Sequence, residues 1–459
     1  MSRRIGLGAL ALAAVVFAFA PLAEAKPPVA PKNVRGAFFT NWSRYARGYT
    51  VKQIPADRLN VIDYAFAFPT AAGTCASSDP WSDFQAPTWS GSDSVDGVAD
   101  DPSNPAQHMF GNFNQLAKLK AAHPDLRLEI SIGGWTGSVY FSDIAATASA
   151  RQAFVKSCLD LFIRGNLPTG GWPEQAGGVG VAAGLFDGIN VDWEFPGIDP
   201  GNGAHHSSAD RSNATALLRE FRRQLDDLGK ENGRRYLLTN DIPGGNVNSS
   251  GSWELRKVAQ TVDWIDLMAF DFHGGWEPWT DFNSPFLRDP GAPAVGGGAI
   301  EPTWSTSGSV LYFLANGVPP NKLSLGIPFY GKEYVGVPAA SHGLYQAHGP
   351  QPGNDSPSYH DLVDTGLADA NLVPIGPTAA AGTGDGVNGF TRYYSVEAGA
   401  PWLYNPVLNG GTFISYVDPQ AVALRMALVQ GLELRGAWAW EISNDSNAHD
   451  LVSAMTSGG

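Results

Sequence analysis

The amino-acid sequence predicts an α/β protein, a TIM (β/α)8 barrel with a small α+β insertion between strands seven and eight. The first observation is that eight short apolar segments alternate with longer polar or helical ones. The second is that these segments are largely apolar on both faces, as in parallel strands covered on both sides. Eight such repeats favour a closed barrel over an open sheet. The third is that no Gly-x-Gly-x-x-Gly follows the first segment, which argues against a dinucleotide-binding fold.

The eight predicted strands are separated by stretches long enough to hold a helix. They span residues 35–41, 61–68, 126–135, 187–195, 236–243, 264–272, 323–330 and 434–442. Two helices have clear signatures. One has its apolar residues on a single face, at Leu217, Leu218, Phe221, Leu225 and Leu228. The other begins at Asp418 as N-cap, with Pro419 at the first helical position.

Two stretches depart from the simple repeat. Residues 71–110 are rich in Ser, Asp, Gly and Pro, and we expect them to form a long loop after the second strand. Residues 333–415 carry enough aromatic side chains to build the small inserted subdomain. These aromatic residues are Tyr345, Tyr359, Phe390, Tyr393, Tyr394, Trp402, Phe413 and Tyr416.

The N-terminus has the pattern of a secretory signal peptide. Arg3 and Arg4 precede an apolar run over 5–20, and the small-residue segment Ala-Glu-Ala ends at Ala25. We therefore expect residues 1–25 to be removed and the protein to be secreted to the extracellular space, with a twin-arginine route also open. The run is short for a membrane anchor, which needs about 20 apolar residues. A Pro-rich lead (26–33) and one barrel domain (34–459), which includes the insertion, would follow.

Charge and hydropathy exclude some classes of partner. The chain has 44 acidic and 30 basic residues, a net charge of −14 at pH 7. Such a surface repels nucleic acid and anionic membranes and suits a neutral substrate. No stretch after the N-terminal run is apolar over a membrane length. We expect no nucleic-acid or membrane partner.

The cysteines and histidines do not suggest a metal site. Cys75 and Cys158 are the only cysteines, and in an exported chain they can form one disulfide. The alternative is two separate buried thiols, because Cys158 shares a helical stripe with Phe154 and other apolar residues. His205 and His206 lack a third ligand at a suitable spacing, so we expect a solvated loop there and no metal.

The segment DGINVDWEFP, residues 187–196, carries the strongest chemical signal. Side chains alternate along a strand, so Asn190, Asp192 and Glu194 project from one side, toward the barrel interior near its C-terminal mouth. Burying such groups is costly unless they are paired or used. Catalytic carboxylates are found in settings of this kind. We interpret the segment as the centre of an active site.

This segment resembles the Asp-Gly-x-Asp-x-Asp-x-Glu signature of glycoside hydrolase family 18, the chitinases and endo-N-acetylglucosaminidases. Four further segments are similar to motifs of the same family: SIGGW at 131–135, MAFD at 268–271, GIPFYG at 326–331 and WE at 440–441. In order and spacing the resemblance covers residues 34–450. The insertion resembles that of the deep-cleft, bacterial type of chitinase.

The resemblance implies retaining hydrolysis of β-1,4-linked N-acetylglucosamine in which the substrate supplies the nucleophile. Glu194 would be the catalytic acid and base, Asp192 would hold the acetamido N–H, and Asp271 would help to orient that group. Asp187 would be a structural part of the motif. No cofactor is implied, and the partner would be chitin or chitooligosaccharides bound by a monomer. An endo-β-N-acetylglucosaminidase acting on N-glycans and a chitin-binding, lectin-like protein remain alternatives.

Three positions depart from the family pattern. Asn190 stands where the family usually has Asp, so we expect Asp192 to keep an amide donor beside it but to lose a neighbouring carboxylate. Phe270 replaces a Tyr whose hydroxyl contacts the acetamido oxygen, and Lys332 replaces a frequent Arg. We still count Asn190 among the catalytic group.

Aromatic and apolar residues in the motifs and nearby loops are candidates for sugar binding. Trp440, at the end of strand eight, would form the floor of subsite −1 by resemblance. The substrate-binding candidates are Trp440, Trp135, Met268, Phe270, Tyr330, Trp276, Trp402 and Trp42.

Overall fold

Eight parallel strands close into a barrel in the computed structural model, which describes residues 30–245, 252–294, 301–350, 355–364 and 389–457. The strands are β1 (Val34–Thr40), β2 (Val61–Pro69), β3 (Cys75–Ser77), β4 (Arg127–Gly133), β5 (Gly188–Asp192), β6 (Leu237–Pro243), β7 (Trp264–Met268), β8 (Leu323–Pro328), β9 (Lys332–Val335), β10 (Thr391–Ser395), β11 (Ala400–Asn405), β12 (Thr412–Ser415) and β13 (Gly436–Trp440). The barrel consists of β1, β2, β4 to β8 and β13, and β1 pairs with both β2 and β13 to close it. The predicted barrel is confirmed.

Helices follow most of the barrel strands. They are α1 (Gly111–Ala122), α2 (Phe141–Ala145), α3 (Ala148–Cys158), α4 (Asp210–Asn232), α5 (Leu255–Thr261), α6 (Thr306–Ala315), α7 (Tyr359–Val363), α8 (Pro419–Gly431) and α9 (Asp450–Thr456). The predicted apolar face of α4 is buried against the barrel. The Asp418 side chain caps α8 by accepting a hydrogen bond from the Ala421 N–H at 2.9 Å, as the sequence predicts. None of the helices in the described residues is long and apolar enough to cross a membrane.

The stretch after β2 is more ordered than the predicted loop. Within residues 71–110, β3 pairs antiparallel with the end of β2, and a π-helical turn spans Trp81–Gln85. Residues 75–77 and 81–85 thus depart from the predicted long loop, because so short a strand leaves no periodic pattern in a Ser- and Asp-rich sequence. A disulfide links Cys75 in β3 to Cys158 at the end of α3, with the Cα atoms 5.0 Å apart.

A four-stranded antiparallel sheet lies between β8 and β13 in sequence, in the order β10-β11-β12-β9. Its aromatic core includes Phe282, Tyr334, Trp402, Tyr404 and Phe413. Trp402 is buried there, and its indole N–H donates to the His342 carbonyl at 3.0 Å. The prediction that Trp402 binds sugar is therefore corrected, because its ring is used to build the core of the insertion.

Several predictions concern residues outside the described ranges. The signal peptide (1–25) lies wholly outside them, and so does the first half of the Pro-rich lead, residues 26–29. Within the insertion, residues 351–354 and 365–388 also lie outside.

The barrel interior contains buried carboxylic acids below the mouth. Asp63 on β2 lies beside Glu129 on β4 in the strand register, and Asp241 on β6 lies beside Asp266 on β7. Burial raises the pKa of Asp63 and Glu129 well above the usual range, and neighbouring carboxylates add to both shifts. Burial raises the pKa of Asp266 to about 7. Because barrel interiors are generally filled by apolar side chains, this acidic layer is an unusual feature of the fold.

Candidate active site

A cleft of about 300 Å³ opens at the carboxyl ends of the barrel strands, where TIM barrels carry their active sites. Its lining includes most of the predicted site residues. The lining residues are Phe38, Trp42, Phe66, Trp135, Thr136, Asp192, Glu194, Asp241, Met268, Phe270, Asp271, Tyr330, Trp438 and Trp440. A wider hollow of about 610 Å³ shares Trp135, Glu194 and Asp271 with the cleft and extends to Trp276, Trp304 and Lys332.

Two glycines at the end of β4 allow the close approach of β4 and β5 at the site. Gly133 and Gly134 have φ of +121° and +80°. A Cβ on Gly133 would lie 2.0 Å from the Asp192 carbonyl oxygen, and one on Gly134 would lie 2.7 Å from the Phe66 ring. The Gly134 N–H donates to the Asp192 carbonyl at 2.8 Å. Both glycines are therefore required, since a side chain at Gly133 would displace the strand that carries Asp192 and one at Gly134 would displace the Phe66 ring.

Glu194 follows β5 and faces both the cleft and the wider hollow. Its backbone N–H donates to the Ser138 hydroxyl at 2.9 Å, and its carbonyl accepts from the Asn202 amide at 3.1 Å. Burial raises the pKa of Glu194 well above its usual range, and the charges of Asp192 and Asp271 raise it further. The prediction from sequence did not include Ser138 or Asn202, because single polar residues in loops leave no pattern.

Asp192 lies below Glu194 as the last residue of β5. Its side chain is buried, and its Oδ1 has no hydrogen-bond partner among the residues that the structure describes. Burial raises the pKa of Asp192 to about 7. The carboxyl group can therefore change its protonation state near neutral pH, a property common in catalytic groups.

The Asn190 amide does not serve Asp192 in the way the sequence suggests. Asn190 Nδ2 donates to Thr239 Oγ1 at 3.0 Å and to Asp241 Oδ1 at 3.3 Å, while Asn190 Oδ1 accepts from the Ser131 hydroxyl at 2.7 Å. The expectation that the Asn190 amide donates to Asp192 is therefore wrong, because both N–H groups of the amide donate to side chains of β6. Asp241, a buried carboxyl that lines the cleft, was not predicted.

Asp271 lies across the cleft, just after β7, and its carboxylate is held on both oxygens. The Tyr330 hydroxyl donates to Asp271 Oδ2 at 2.7 Å, and Lys332 Nζ lies 3.0 Å from Oδ1. The Asp271 N–H donates to Asn283 Oδ1 at 2.9 Å. Lys332, which replaces a frequent Arg, therefore still provides a cation at this carboxylate.

Aromatic rings form the floor and rims of the site. Trp440 lines the cleft and stacks on Phe66 with ring centroids 5.7 Å apart. Trp42 and Trp135 are about half exposed, at 46% and 49%, and Trp276 is 62% exposed at the edge of the wider hollow. Exposed rings at a cleft are suited to stacking on sugar faces.

Met268 and Phe270 belong to the apolar wall between Asp192 and Asp271. Both side chains line the cleft and the wider hollow. The Phe270 ring packs edge-on against Tyr330 and Trp438, at centroid distances of 6.1 Å and 5.7 Å. Phe38, Phe66, Trp304 and Trp438 also line this region and were not predicted, since nothing in the sequence distinguishes them from core aromatic residues.

Two predicted features lie away from the cleft lining. Asp187, before β5, accepts from the Leu128 N–H at 3.1 Å and forms an ion pair with Lys120 at 2.7 Å. These contacts support a structural part for Asp187. His205 is exposed and contacts Asp143 at 2.6 Å. Within the described ranges, no group of three or more His, Cys, Asp or Glu side chains is arranged to hold a metal ion.

Comparisons with known proteins agree with this geometry. The sequence profile described as "Glycosyl hydrolases family 18" matches residues 35–445. The chain is 32% identical over 89% of its length to Chitinase A1 of Niallia circulans and 31% identical over 90% to Chitinase C of Streptomyces lividans. It spans only 56% and 58% of those two proteins. The catalytic domain of the psychrophilic chitinase B from Arthrobacter TAD20 superposes with a TM-score of 0.79 at 31% identity, covering 93% of this chain and 95% of that domain.

Proposed function

The chain belongs to the glycosyl hydrolases of family 18, and from this membership we propose that it is a secreted chitinase. It hydrolyses β-1,4 linkages between N-acetylglucosamine units, with retention of the anomeric configuration and with the substrate's acetamido group as the nucleophile. The single observation that carries the proposal is that Glu194 lies with the carboxyl groups of Asp192 and Asp271 in an aromatic-lined cleft of about 300 Å³.

Glu194 acts as the general acid and then as the base. A carboxylic acid must hold its proton near neutral pH in order to protonate a glycosidic oxygen, and burial next to negative charge provides for this. The raised pKa of Glu194 has those causes. After the bond breaks, the ionised Glu194 accepts a proton from the water that completes hydrolysis.

Asp192 and Asp271 hold the acetamido group of the sugar at subsite −1. Its carbonyl oxygen attacks C1 and forms an oxazolinium ion, which water opens with net retention. A weak nucleophile of this kind depends on being held close to the reacting carbon. Asp192 accepts the acetamido N–H and offsets the positive charge that develops, and Asp271 sits opposite, fixed by Tyr330 and Lys332.

The aromatic surface favours a long polysaccharide chain over a branched N-glycan. Outside the cleft lining, three exposed tryptophans lie together, with Trp172 in contact with both Trp81 and Trp89 at ring-centroid distances of 6.0 Å. They are 43% to 67% exposed. Exposed ring faces are costly in water unless they meet a ligand, and flat sugar rings suit them.

Secretion is part of the proposal. The signal pattern of residues 1–25 supports it. The disulfide between Cys75 and Cys158 agrees with it, because disulfides persist mainly in oxidising compartments.

Product analysis on two substrates tests the proposed function. The protein is incubated with colloidal chitin and, separately, with a high-mannose glycopeptide, and the released sugars are separated and weighed by mass spectrometry. We expect chitooligosaccharides from chitin and an intact glycopeptide. Release of the N-glycan without cleavage of chitin would identify an endo-β-N-acetylglucosaminidase, and binding of chitin without release from either would identify a lectin-like protein.

A further inference from the structure

We propose that Asp241 on β6 is the carboxyl group that shares a proton with Asp192, in place of the residue at position 190. Asp241 is then a positioning residue, since it acts on substrate through Asp192. The inference rests on the proposed function for its catalytic meaning, but the shared proton itself is a property of the folded protein.

The strand register places the two carboxyl groups side by side. β5 and β6 are parallel neighbours in which Asn190 pairs with Thr239 and Val191 with Asn240. The next step of this register brings Asp192 beside Asp241, and neighbouring strands lie only about 4.8 Å apart. Both side chains line the same cleft, so they point to the same side of the sheet.

One oxygen of Asp241 and one oxygen of Asp192 receive no hydrogen bond from the part of the chain that the structure describes, so these two oxygens are available to each other. Asp241 Oδ1 accepts from the Asn190 amide at 3.3 Å. Asp241 Oδ2 and Asp192 Oδ1 are both buried, and neither has a partner within the described residues. Two buried oxygens without donors are costly. A proton on Asp241 Oδ2 that is donated to Asp192 satisfies both atoms at once.

The surroundings decide which carboxyl group keeps the proton. Burial raises the pKa of Asp241 well above the usual range, and the negative charges of Asp192, Asp266 and Asp63 raise it further. Asp192, whose pKa is raised to about 7 by burial alone, ionises first. Asn190 on β5, Asp266 on β7 and Asp63 on β2 act on Asp241, and the charge of Asp192 acts on Glu194 at the mouth. Farther from the pair, Glu129 on β4 interacts with Asp63 and Asp266, and Arg435 interacts with Asp266. At the mouth, Asp271 acts on Glu194 and pairs with Lys332.

Asn190 then determines which oxygen of Asp241 carries the proton. By donating to Asp241 Oδ1, its amide leaves Oδ2 as the protonated oxygen that faces Asp192. Protonated Asp241 stabilises the Asp192 anion, which is the form that accepts the acetamido N–H. The carboxyl group that the family motif places at 190 is therefore supplied by the neighbouring strand.

The first test measures kcat as a function of pH for Asp241→Asn, with a soluble chitooligosaccharide as the substrate. An amide donates a weaker hydrogen bond to an anion than a carboxylic acid does. We expect the acidic limb, where Asp192 becomes protonated, to move up by about half a pH unit or more, with KM changed less than twofold. Exchanging the two groups, as Asn190→Asp with Asp241→Asn, should move the limb back toward wild type.

Glu333→Gln is the matched control, because it removes a buried carboxyl group on β9 of the insertion that lines neither the cleft nor the wider hollow. Its acidic limb should coincide with that of wild type. Superimposed limbs for Asp241→Asn and wild type would overturn the proposal. A loss of kcat in Asp241→Asn that is equal at every pH, and that is not reversed by adding Asn190→Asp, would also overturn the proposal.

A titration without turnover separates this inference from the proposed function. The γ-carbons of aspartate are labelled with ¹³C, and the Asp192 and Asp241 signals are assigned by their loss in Asp192→Asn and Asp241→Asn. In wild type we expect both signals to move together in two steps, as coupled groups do. In Asp241→Asn the Asp192 signal should move in one step. Single, independent steps in wild type would overturn the proposal, whether or not the protein cleaves chitin.

Discussion

The side-chain amide of Asn190 donates a hydrogen bond to Asp241 Oδ1 at 3.3 Å, across the junction of β5 and β6. The same side chain accepts from the Ser131 hydroxyl on β4 and donates to Thr239 on β6. One buried amide therefore connects three neighbouring strands just below the carboxyl groups of Asp192 and Glu194. A carboxylate at this position could accept from Ser131 but could not donate to β6, so the amide and Asp241 form a matched pair.

Asn190→Ala should destabilise the protein. The change leaves the buried Ser131 hydroxyl and one Asp241 oxygen without partners, and groups of this kind cost about 1–3 kcal/mol each. We expect the two losses together to lower the free energy of unfolding by roughly 2–6 kcal/mol, measured with urea at pH 7. Asn321→Ala, an exposed asparagine, is the control and should lie within about 0.5 kcal/mol of wild type. Equal stability of the two variants would refute this view of the Asn190 contacts.

Glu194→Gln should abolish most hydrolysis while the substrate still binds. The amide keeps the shape of the side chain but cannot deliver a proton, and a positioned acid contributes about 10²- to 10⁴-fold to the rate. We expect kcat on a chitooligosaccharide to fall by at least about 100-fold, with binding measured by calorimetry changed little. Glu174→Gln, at an exposed site, should retain the wild-type rate. Turnover near wild type in Glu194→Gln would exclude Glu194 as the acid.

The buried acids should make stability fall as the pH rises. The pKa of Asp266 is about 7 when folded, which lies above its value in the unfolded chain, so the folded state holds more protons between pH 4 and 7. The stability that protonated Asp266 contributes is fully present below the pKa of the unfolded chain, and it is lost as the pH rises through about 7. We expect Asp266→Asn, which keeps an acceptor for the Trp264 N–H, to flatten the decline in unfolding free energy between pH 5 and 8. The exposed Asp57→Asn should leave the decline unchanged, and a wild-type stability independent of pH would contradict the argument.

The sequence was sufficient to predict the barrel and the position of Glu194 at its mouth, because both depend on local patterns. Alternating apolar segments define the strands, and the carboxyl-rich end of β5 is continuous in sequence. Asp241 could not be found in this way, since the role that we propose for it depends on the register between β5 and β6. The prediction that Trp402 binds sugar failed because the sequence pattern around an aromatic residue does not distinguish one that binds sugar from one that fills the core of a small sheet.

The disulfide should account for part of the protein's stability. It joins β3 to α3 across a sequence separation of 83 residues, and removing a native disulfide commonly costs about 2–5 kcal/mol. We expect unreduced peptide mapping to find Cys75 linked to Cys158, and Cys75→Ser with Cys158→Ser to lower the unfolding free energy by that order. Alkylation of two free thiols in the native protein would show that the bond is absent.

Proton NMR of the first products from a chitin hexamer tests the proposed reaction most directly. Retention through the substrate's acetamido group requires that each newly formed reducing end appear first as the β-anomer, before mutarotation produces the α-form. Spectra are collected from the first minute at an enzyme concentration that cleaves the hexamer faster than the anomers exchange. We expect an initial excess of the β-anomer from the wild-type protein, and at least about 100-fold slower product formation from Glu194→Gln. An initial excess of the α-anomer, or an uncleaved hexamer with the wild-type protein, would contradict the proposed mechanism.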